Sequence, residues 1–169
     1  MRFLIPSLVL ALTMQTPSAA AASAPQPADM FDFWLGNWQV SWKNADGSVG
    51  KGTNHIARIL DGRVIEERFE EDAADPAPQL RGQSLSVRDA AGLWHQAWAD
   101  NQGGFFALTA SADGDRRLFS TALTTVGNEI RGRRMVFHDI TPDAFTWDWE
   151  GTTDGGKTWK RLWRLDYRR

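Results

Sequence analysis

The chain of 169 residues has the composition of one folded globular domain, with 42% hydrophobic residues, 24% charged residues and no cysteine. This composition excludes a disordered chain and a scaffold held together by disulfides. The 19 basic residues against 21 acidic residues give a net charge of -2, without a dense basic run. We therefore do not expect a nucleic acid or another polyanion as a partner.

The N-terminus has the pattern of a signal peptide. A basic second residue precedes an apolar run at 3–14, which is long enough for the hydrophobic part of a signal peptide and too short to span a bilayer. The small residues that follow allow cleavage at three places, after Ala20, Ala22 or Ala24. We expect residues 1–22 to be removed and the protein to be exported, as a periplasmic or secreted protein with no membrane insertion after cleavage. The alternative is an uncleaved N-terminal anchor.

The chain after the signal peptide is predicted to be a short linker and one domain. Residues 23–28 contain two prolines and are expected to form an extended linker. Asp29 is a candidate N-cap for a short helix that ends at Gly36. Residues 29–169 are expected to form a single β-barrel domain.

From residue 37 onward, runs rich in β-branched and aromatic residues alternate with turn dipeptides such as Asp-Gly. They predict about ten strands, at 37–44, 50–60, 63–71, 81–89, 93–100, 105–111, 116–124, 129–138, 145–152 and 158–168. Nearly every connection is short, so the strands form an antiparallel meander that protects its edges by closing on itself. We predict an all-β fold, an up-and-down barrel with a short N-terminal helix; a two-sheet sandwich is the alternative. The connection at 72–80 contains two prolines and is a candidate mobile loop at the barrel mouth.

The motif Gly36-Asn37-Trp38 follows the predicted helix and opens the first predicted strand. This arrangement resembles the calycin superfamily of lipocalin-like barrels, in which the tryptophan of a Gly-x-Trp motif closes the barrel floor, often against an arginine of the last strand. The resemblance implies a cation–π contact between Trp38 and either Arg164 or Arg168.

A longer set of motifs carries a second resemblance. The segments are FDFWLGNWQV (31–40), IEERFEE (65–71), LWHQAWADNQGG (93–104) and TTDGGKTW (152–159). They are similar to a family of exported bacterial proteins of unknown function with a lipocalin-like β-barrel and the signature DFWLGxW. The resemblance implies this fold and export, and it supplies no catalytic residue.

One face of the predicted strand 93–100 has the composition of a ligand-binding wall. Alternation places Trp94, Gln96, Trp98 and Asp100 on this face. Indole rings offer apolar surface, while the amide and the carboxylate can orient a ligand. The alternative is that this face points outward or packs under a loop.

Alternation within 65–70 places Glu67 on the inward face of its strand. A buried carboxylate is costly unless it is paired. We expect Arg134 to be the partner, with Arg133 as the alternative. Such a pair would either orient a ligand or be purely structural.

The tryptophans occur as near neighbours on common strand faces, for example Trp147 and Trp149. They could form a surface for a flat, lipidic or sugar ligand, or they could be the core itself. The predicted ligand-binding residues are Glu67, Gln96, Trp98, Asp100, Arg134 and Trp149.

No cofactor, metal site or catalytic residue is predicted. His55, His95 and His138 are far apart and the chain has no cysteine, so a zinc site has little support. Nitrobindin-like barrels are about this size and bind haem through a histidine near the end of the barrel's sequence, where this chain has WRLDY (163–167). Haem is therefore not expected.

The segment TTDGGKTW at 152–159 resembles the Asp-box hairpin of sialidase-like propellers and occurs once. Propellers need repeated blades, so we expect only a capped hairpin. In it, Asp154 would accept hydrogen bonds from turn amides and Trp159 would pack beneath.

These observations favour an exported lipocalin-like barrel that binds a small hydrophobic or aromatic molecule in its interior and is not an enzyme. One alternative is an isomerase or hydrolase of low activity that uses Glu67 or Asp100 as a general base. Another is a solid-cored interaction module that acts through its loops.

Overall fold

The computed structural model describes residues 24–72 and 79–169. They form eleven strands and one short 3-10 turn at Asp32–Trp34. The strands are β1 (Gly36–Lys43), β2 (Val49–Ile59), β3 (Val64–Glu71), β4 (Arg81–Arg88), β5 (Trp94–Asp100), β6 (Phe105–Asp113), β7 (Arg116–Ser120), β8 (Thr124–Val126), β9 (Glu129–His138), β10 (Ala144–Thr152) and β11 (Lys160–Arg168).

Ten of these strands close into an antiparallel barrel. Strands β1 to β7 pair in chain order, β9 follows β7, and β10 and β11 lead back to β1. Gln39 of β1 lies opposite Arg168 of β11, which closes the ring. Strand β8 is an extra strand paired with β9. The prediction of an all-β closed barrel is confirmed, the sandwich is excluded, and the architecture fits a calycin-like fold.

The predicted strand 116–124 is in fact two strands. Strand β7 ends at Ser120, opposite Arg134, and β8 begins at Thr124, opposite Arg131. The chain thus advances four residues from 120 to 124 while β9 advances three from 134 to 131, as in a β-bulge. The prediction of one strand is wrong because residues 121–123 contain no glycine or proline that would signal the break.

The predicted N-terminal helix is not confirmed. The 3-10 turn is three residues long. Its N-cap position is occupied by Phe31, which makes no side-chain capping hydrogen bond, and not by Asp29 as predicted. In a 3-10 turn, residues three apart lie above one another. This geometry lets Phe31 and Trp34 both point into one end of the barrel, where each is almost fully buried.

We call the barrel end that holds residues 31–34 the closed end. Phe31 stacks on Phe119 there, with ring centroids 4.4 Å apart. The preceding segment is fastened to the same end, because the Gln26 side-chain amide donates to the Ala110 carbonyl at 2.7 Å and its oxygen accepts from the Trp94 amide at 2.9 Å. Buried aromatic side chains, among them Phe31, Trp34 and Phe119, therefore fill this end, and the opposite end, the open end, holds the site described below.

Trp38 lies at the closed end, but the arginine above its ring is Arg169. The predicted partners are wrong: Arg164 binds Asp148 on the outer face of the barrel, and Arg168 is exposed. Alternation explains both errors, because Arg164 and Arg168 share the outward face of β11 with Asp166, whereas Leu165 and Tyr167 point inward.

No helix in the described part of the chain has the length and apolar character to cross a membrane. The predicted signal peptide, residues 1–22, lies outside the described residues.

Candidate functional site

The open end of the barrel contains an interior cavity of about 140 Å³. Strands β3, β5, β6, β9, β10 and β11 line it, together with Leu80, which precedes β4. Most of the lining is aromatic, and two carboxyl groups, of Glu67 and Asp100, are part of it. Because the cavity communicates with solvent at the open end, a molecule could enter it without disrupting the core.

The tryptophans divide between this cavity and the core. Four are buried core residues: Trp34, Trp38, Trp42 and Trp94. Four others line the cavity and keep part of their surface exposed: Trp98, Trp147, Trp149 and Trp163. The ninth, Trp159, lies on the outside, under Arg134. Four tryptophans are thus core residues, and four others offer aromatic surface to the cavity.

The cavity tryptophans of β10 and β11 form two walls. The rings of Trp147 and Trp149 are parallel within 2°, with centroids 6.2 Å apart. The ring of Trp163 stands at 89° to that of Trp147, 6.1 Å away. The Phe106 ring packs edge-on against Trp149, with centroids 5.0 Å apart and an angle of 65° between the ring planes. The side chains therefore form an aromatic corner.

Glu67 lies at the inner end of the cavity and is 6% exposed. Its Oε2 accepts a hydrogen bond of 2.6 Å from the Ser84 hydroxyl, and its Oε1 accepts one of 2.8 Å from Asn54 Nδ2. Burial raises the pKa of Glu67 to about 7, although these two hydrogen bonds act in the opposite direction. The carboxyl group is therefore poised to gain or lose a proton near neutral pH.

The same Asn54 amide group also donates to the Tyr167 hydroxyl, at 3.0 Å. Burial raises the pKa of Tyr167 far above its ordinary value, and the nearby Glu67 adds to this effect. The hydroxyl group thus stays neutral and keeps its proton for donation. Asn54, Ser84 and Tyr167 were missed in the sequence analysis, although alternation places Ser84 on the inward face directly opposite Glu67.

Asp100 and Trp98 lie nearer the mouth, where the wall predicted from β5 does point into the barrel. The indole N–H of Trp98 donates to Asp100 Oδ2 at 3.0 Å, and the amides of Gln102 and Gly104 donate to Oδ1. Burial acts to raise the pKa of Asp100, but these hydrogen bonds outweigh it and hold the pKa below its ordinary value. Asp100 is therefore ionised at neutral pH while it caps its turn.

Gln96 is on the same face but lies deeper than the cavity. It is 3% exposed, and its Nε2 donates to the Ser86 hydroxyl at 3.0 Å. Among the described residues, no hydrogen-bond donor reaches Gln96 Oε1 or Asn54 Oδ1. The buried polar groups beneath the cavity thus include two acceptor atoms to which no described residue donates a hydrogen bond.

The predicted pair between Glu67 and Arg134 does not form. Arg134 lies on the outer face of β9, where its Nε donates to Glu150 at 2.6 Å and its guanidinium group covers the Trp159 ring. Alternation misleads here because Val136, on the same outward face, is fully buried and resembles a core residue. The carboxyl group of Glu67 is bound by neutral donors instead, and Arg134 belongs to the outer surface of the barrel rather than to the cavity.

The histidines lie outside the cavity in hydrogen-bonded positions. His138 contacts Asp148 at 3.1 Å, and His95 contacts Asp89 at 2.9 Å. Across residues 24–72 and 79–169, the structure contains no group of three acidic, histidine or cysteine side chains that could hold a metal ion.

The hairpin between β10 and β11 has the predicted capping. Asp154 accepts hydrogen bonds from both the amide and the hydroxyl of Thr158, at 3.0 and 2.6 Å, and the Trp159 indole N–H donates to the Gly156 carbonyl at 3.1 Å. The motif is therefore a turn-stabilising device.

The long connection between β3 and β4 starts and ends at the open end of the barrel. Its last residue, Leu80, contributes to the cavity wall. Residues 73–78, in the middle of the predicted mobile loop, lie outside the described residues.

No protein-family model and no curated protein matches the sequence. Among solved structures, the chain is similar to one described as a redesigned β-barrel, with a TM-score of 0.43 and 12% identity over 86% of this chain and 98% of that chain.

Proposed function

We propose that the protein is a binding barrel that holds one small, largely apolar or aromatic molecule in its open-end cavity. The main support for this proposal is the combination of four half-buried tryptophans with a buried carboxyl group at the inner end of the cavity. Apolar walls with a few convergent polar groups are typical of small-molecule sites. Of the predicted ligand-binding residues, Glu67, Trp98, Asp100 and Trp149 line the cavity.

The volume of the cavity limits the size of the ligand. At about 140 Å³ it is close to an engineered protein cavity of about 150 Å³ that binds benzene. The buried part of a ligand would therefore be about as large as one six-membered ring, and a longer substituent could extend through the mouth. A large lipid or a haem group does not fit this volume.

Native mass spectrometry of the protein purified from its own host tests this proposal. The expected result is a mass excess over the denatured protein that is lost on unfolding. A Leu165→Trp substitution replaces an isobutyl group of the cavity wall by a larger indole ring and is expected to abolish the mass excess. The control is Leu162→Trp on the same strand, where the side chain is 49% exposed and points away from the cavity.

The proposal fails if the wild-type protein has no mass excess and calorimetry detects no binding of toluene, phenol, indole or choline. It also fails if Leu165→Trp, folded by circular dichroism, binds as well as the wild type.

We also propose that binding takes place outside the cytoplasm, which the signal-peptide pattern at 1–22 supports. N-terminal sequencing of the protein from its host is expected to begin near residue 23. An intact N-terminus would contradict export by this route.

An enzyme of low activity is the second candidate, because the pKa of Glu67, at about 7, is in the range of an effective general base or acid. Glu67→Ala separates the two functions. A binding barrel loses affinity in this variant, whereas an enzyme keeps binding its substrate and loses turnover.

A further inference from the structure

The charges that line the cavity are all of one sign. Glu67 and Asp100 both contribute to its wall, and no lysine, arginine or histidine side chain of the described residues does so. The arginine predicted to neutralise Glu67 lies on the outer face of the barrel instead. A buried or partly buried carboxylate without a positive partner is unfavourable, so a cation in the cavity would supply the missing countercharge.

The aromatic side chains have the arrangement that favours the same kind of ligand. Trp147 and Trp163 meet at 89° with centroids 6.1 Å apart, and Trp149 extends the first wall in a parallel orientation. The face of an indole ring attracts a cation more strongly than that of any other side chain, and aromatic cages are the usual sites for methylated ammonium groups. A corner of indole rings beside two carboxyl groups thus matches an organic cation in both shape and charge.

The hydrogen-bonding groups around the cavity also favour a cationic ligand. The Asp100 carboxylate is held near the mouth by the Trp98 indole, and Glu67 lies at the inner end, so the two carboxyl groups lie at different depths of one cavity. The unpaired acceptor atoms beneath the cavity, Gln96 Oε1 and Asn54 Oδ1, add negative potential. An anionic ligand would be repelled by all of these groups.

We propose that the ligand of the cavity is a small organic cation of the methylated-ammonium class, with its charged head in the corner formed by Trp147, Trp149 and Trp163. This inference rests on the proposed binding function and names its ligand class. The methyl groups contact the indole rings, and Glu67 and Asp100 balance the charge. A head group of this kind has roughly the dimensions of the cavity, which is comparable to one that holds benzene.

The proposal includes a dependence on pH through Glu67. The groups that face Glu67 from the neighbouring strands are neutral, namely Asn54, Ser84 and the Tyr167 hydroxyl, and the remaining charged group of the cavity is Asp100. A bound cation favours the ionised form of Glu67 and therefore displaces its proton. Cation affinity is expected to be highest above the pKa of about 7 and to fall as the pH is lowered through it.

The test compares choline with 3,3-dimethylbutan-1-ol, in which carbon replaces nitrogen, so that the two probes share one shape and differ in charge. Calorimetry at about pH 8 is expected to give choline an affinity at least about tenfold higher than that of the alcohol. At about pH 5.5 this advantage is expected to shrink by about tenfold, because Glu67 then keeps its proton.

Three variants locate the effect. Glu67→Gln is expected to remove the pH dependence and most of the preference for choline over the alcohol. Trp163→Leu is expected to weaken choline more than the alcohol. The control, Glu70→Gln, changes an exposed carboxylate on the same strand and is expected to leave both affinities unchanged.

Equal affinity for the two probes, or tighter binding of the alcohol, would overturn the cation proposal and leave the binding function standing. Failure of both probes to bind would also overturn it, and the host-purified protein then decides the binding function separately by its mass excess. Choline binding that persists in Leu165→Trp would place the cation elsewhere on the protein and overturn the proposal as well.

Discussion

The guanidinium carbon of Arg169 lies 4.2 Å from the centre of the Trp38 ring. The same guanidinium group donates a hydrogen bond of 2.7 Å to the carbonyl of Leu35. Arg169 therefore links the last strand to the residue that joins the 3-10 turn to β1. Gly36, with a φ of 128°, lies directly beneath the guanidinium group, in a conformation that suits glycine.

Replacing Arg169 by alanine is expected to lower the free energy of unfolding by about 1 to 2 kcal/mol, since it removes a cation–π contact and a hydrogen bond at a largely exposed position. Urea unfolding followed by circular dichroism measures the change. Arg168→Ala is the matched control, because Arg168 is exposed at the end of the same strand, and its effect should stay within about 0.5 kcal/mol. Equal losses in the two variants would contradict the contact with Trp38.

Glu67 is expected to make the stability of the protein depend on pH. Its pKa is about 7 in the folded protein against an ordinary value of 4.5 for a glutamate side chain, so the folded state holds the proton more tightly. The stabilisation from the protonated form is complete below about pH 4.5 and is lost as the pH rises to about 7, by about 3 kcal/mol in total. Glu67→Gln lacks a titrating group and should remove this loss.

Denaturant unfolding of the wild type and Glu67→Gln across this pH range measures the difference. The two proteins should have similar stability near pH 4.5, and the variant should be the more stable one at about pH 8. The control Glu70→Gln should follow the wild-type curve. Parallel curves for wild type and Glu67→Gln would show that the carboxyl group titrates normally.

Ser84→Ala is expected to raise the pKa of Glu67 above about 7, because the Ser84 hydroxyl donates to Glu67 Oε2 and thereby stabilises the ionised form. Carbon-13 NMR titration of the Glu67 side chain measures the shift. Ser86→Ala is the matched control on the same face of β4, since the Ser86 hydroxyl bonds to Gln96 instead. A Glu67 pKa that responds equally to both substitutions would contradict the assigned partner.

Gly82→Ala is expected to displace Trp98, because a β-carbon at Gly82 would overlap the Trp98 ring. Forcing a methyl group into this contact should cost about 1 to 3 kcal/mol of stability. In a Trp98→Ala background the same change should cost less than half as much, since the obstructing ring is gone. Denaturant unfolding of the wild type, the two single variants and the double variant forms a double-mutant cycle. Additive losses of stability would show that the two residues do not interact.

Much of the barrel could be predicted because its turns carry strong local signals. Asp-Gly and Gly-containing dipeptides delimit nearly every strand to within a few residues, and short connections dictate an antiparallel meander. The break at 121–123 was not predicted, because a β-bulge requires no particular residue type. The 3-10 turn at Asp32–Trp34 was not predicted, because its conformation is determined by the burial of Phe31 and Trp34 in the barrel end and not by helix propensity.

The site could be predicted only where alternation alone decides which side chains point inward. Glu67, Trp98 and Asp100 were placed in this way, and all three line the cavity. Arg134 was misplaced because Val136 is buried on the outer face of the barrel, which alternation cannot distinguish from the inner one. The partners of Glu67 depend on the register of three strands and on β11 closing the ring, and these are properties of the folded chain.

Gln26 is hydrogen-bonded at the closed end, and Arg168, the last residue of β11, ends there too, whereas the cavity opens at the opposite end. Both ends of the described chain therefore leave the barrel on the side away from the mouth. An affinity tag, a fluorescent protein or a solid support joined to the C-terminus would leave the mouth facing free solution. The protein can accordingly be mounted on a sensor surface by that terminus, with access for ligands preserved.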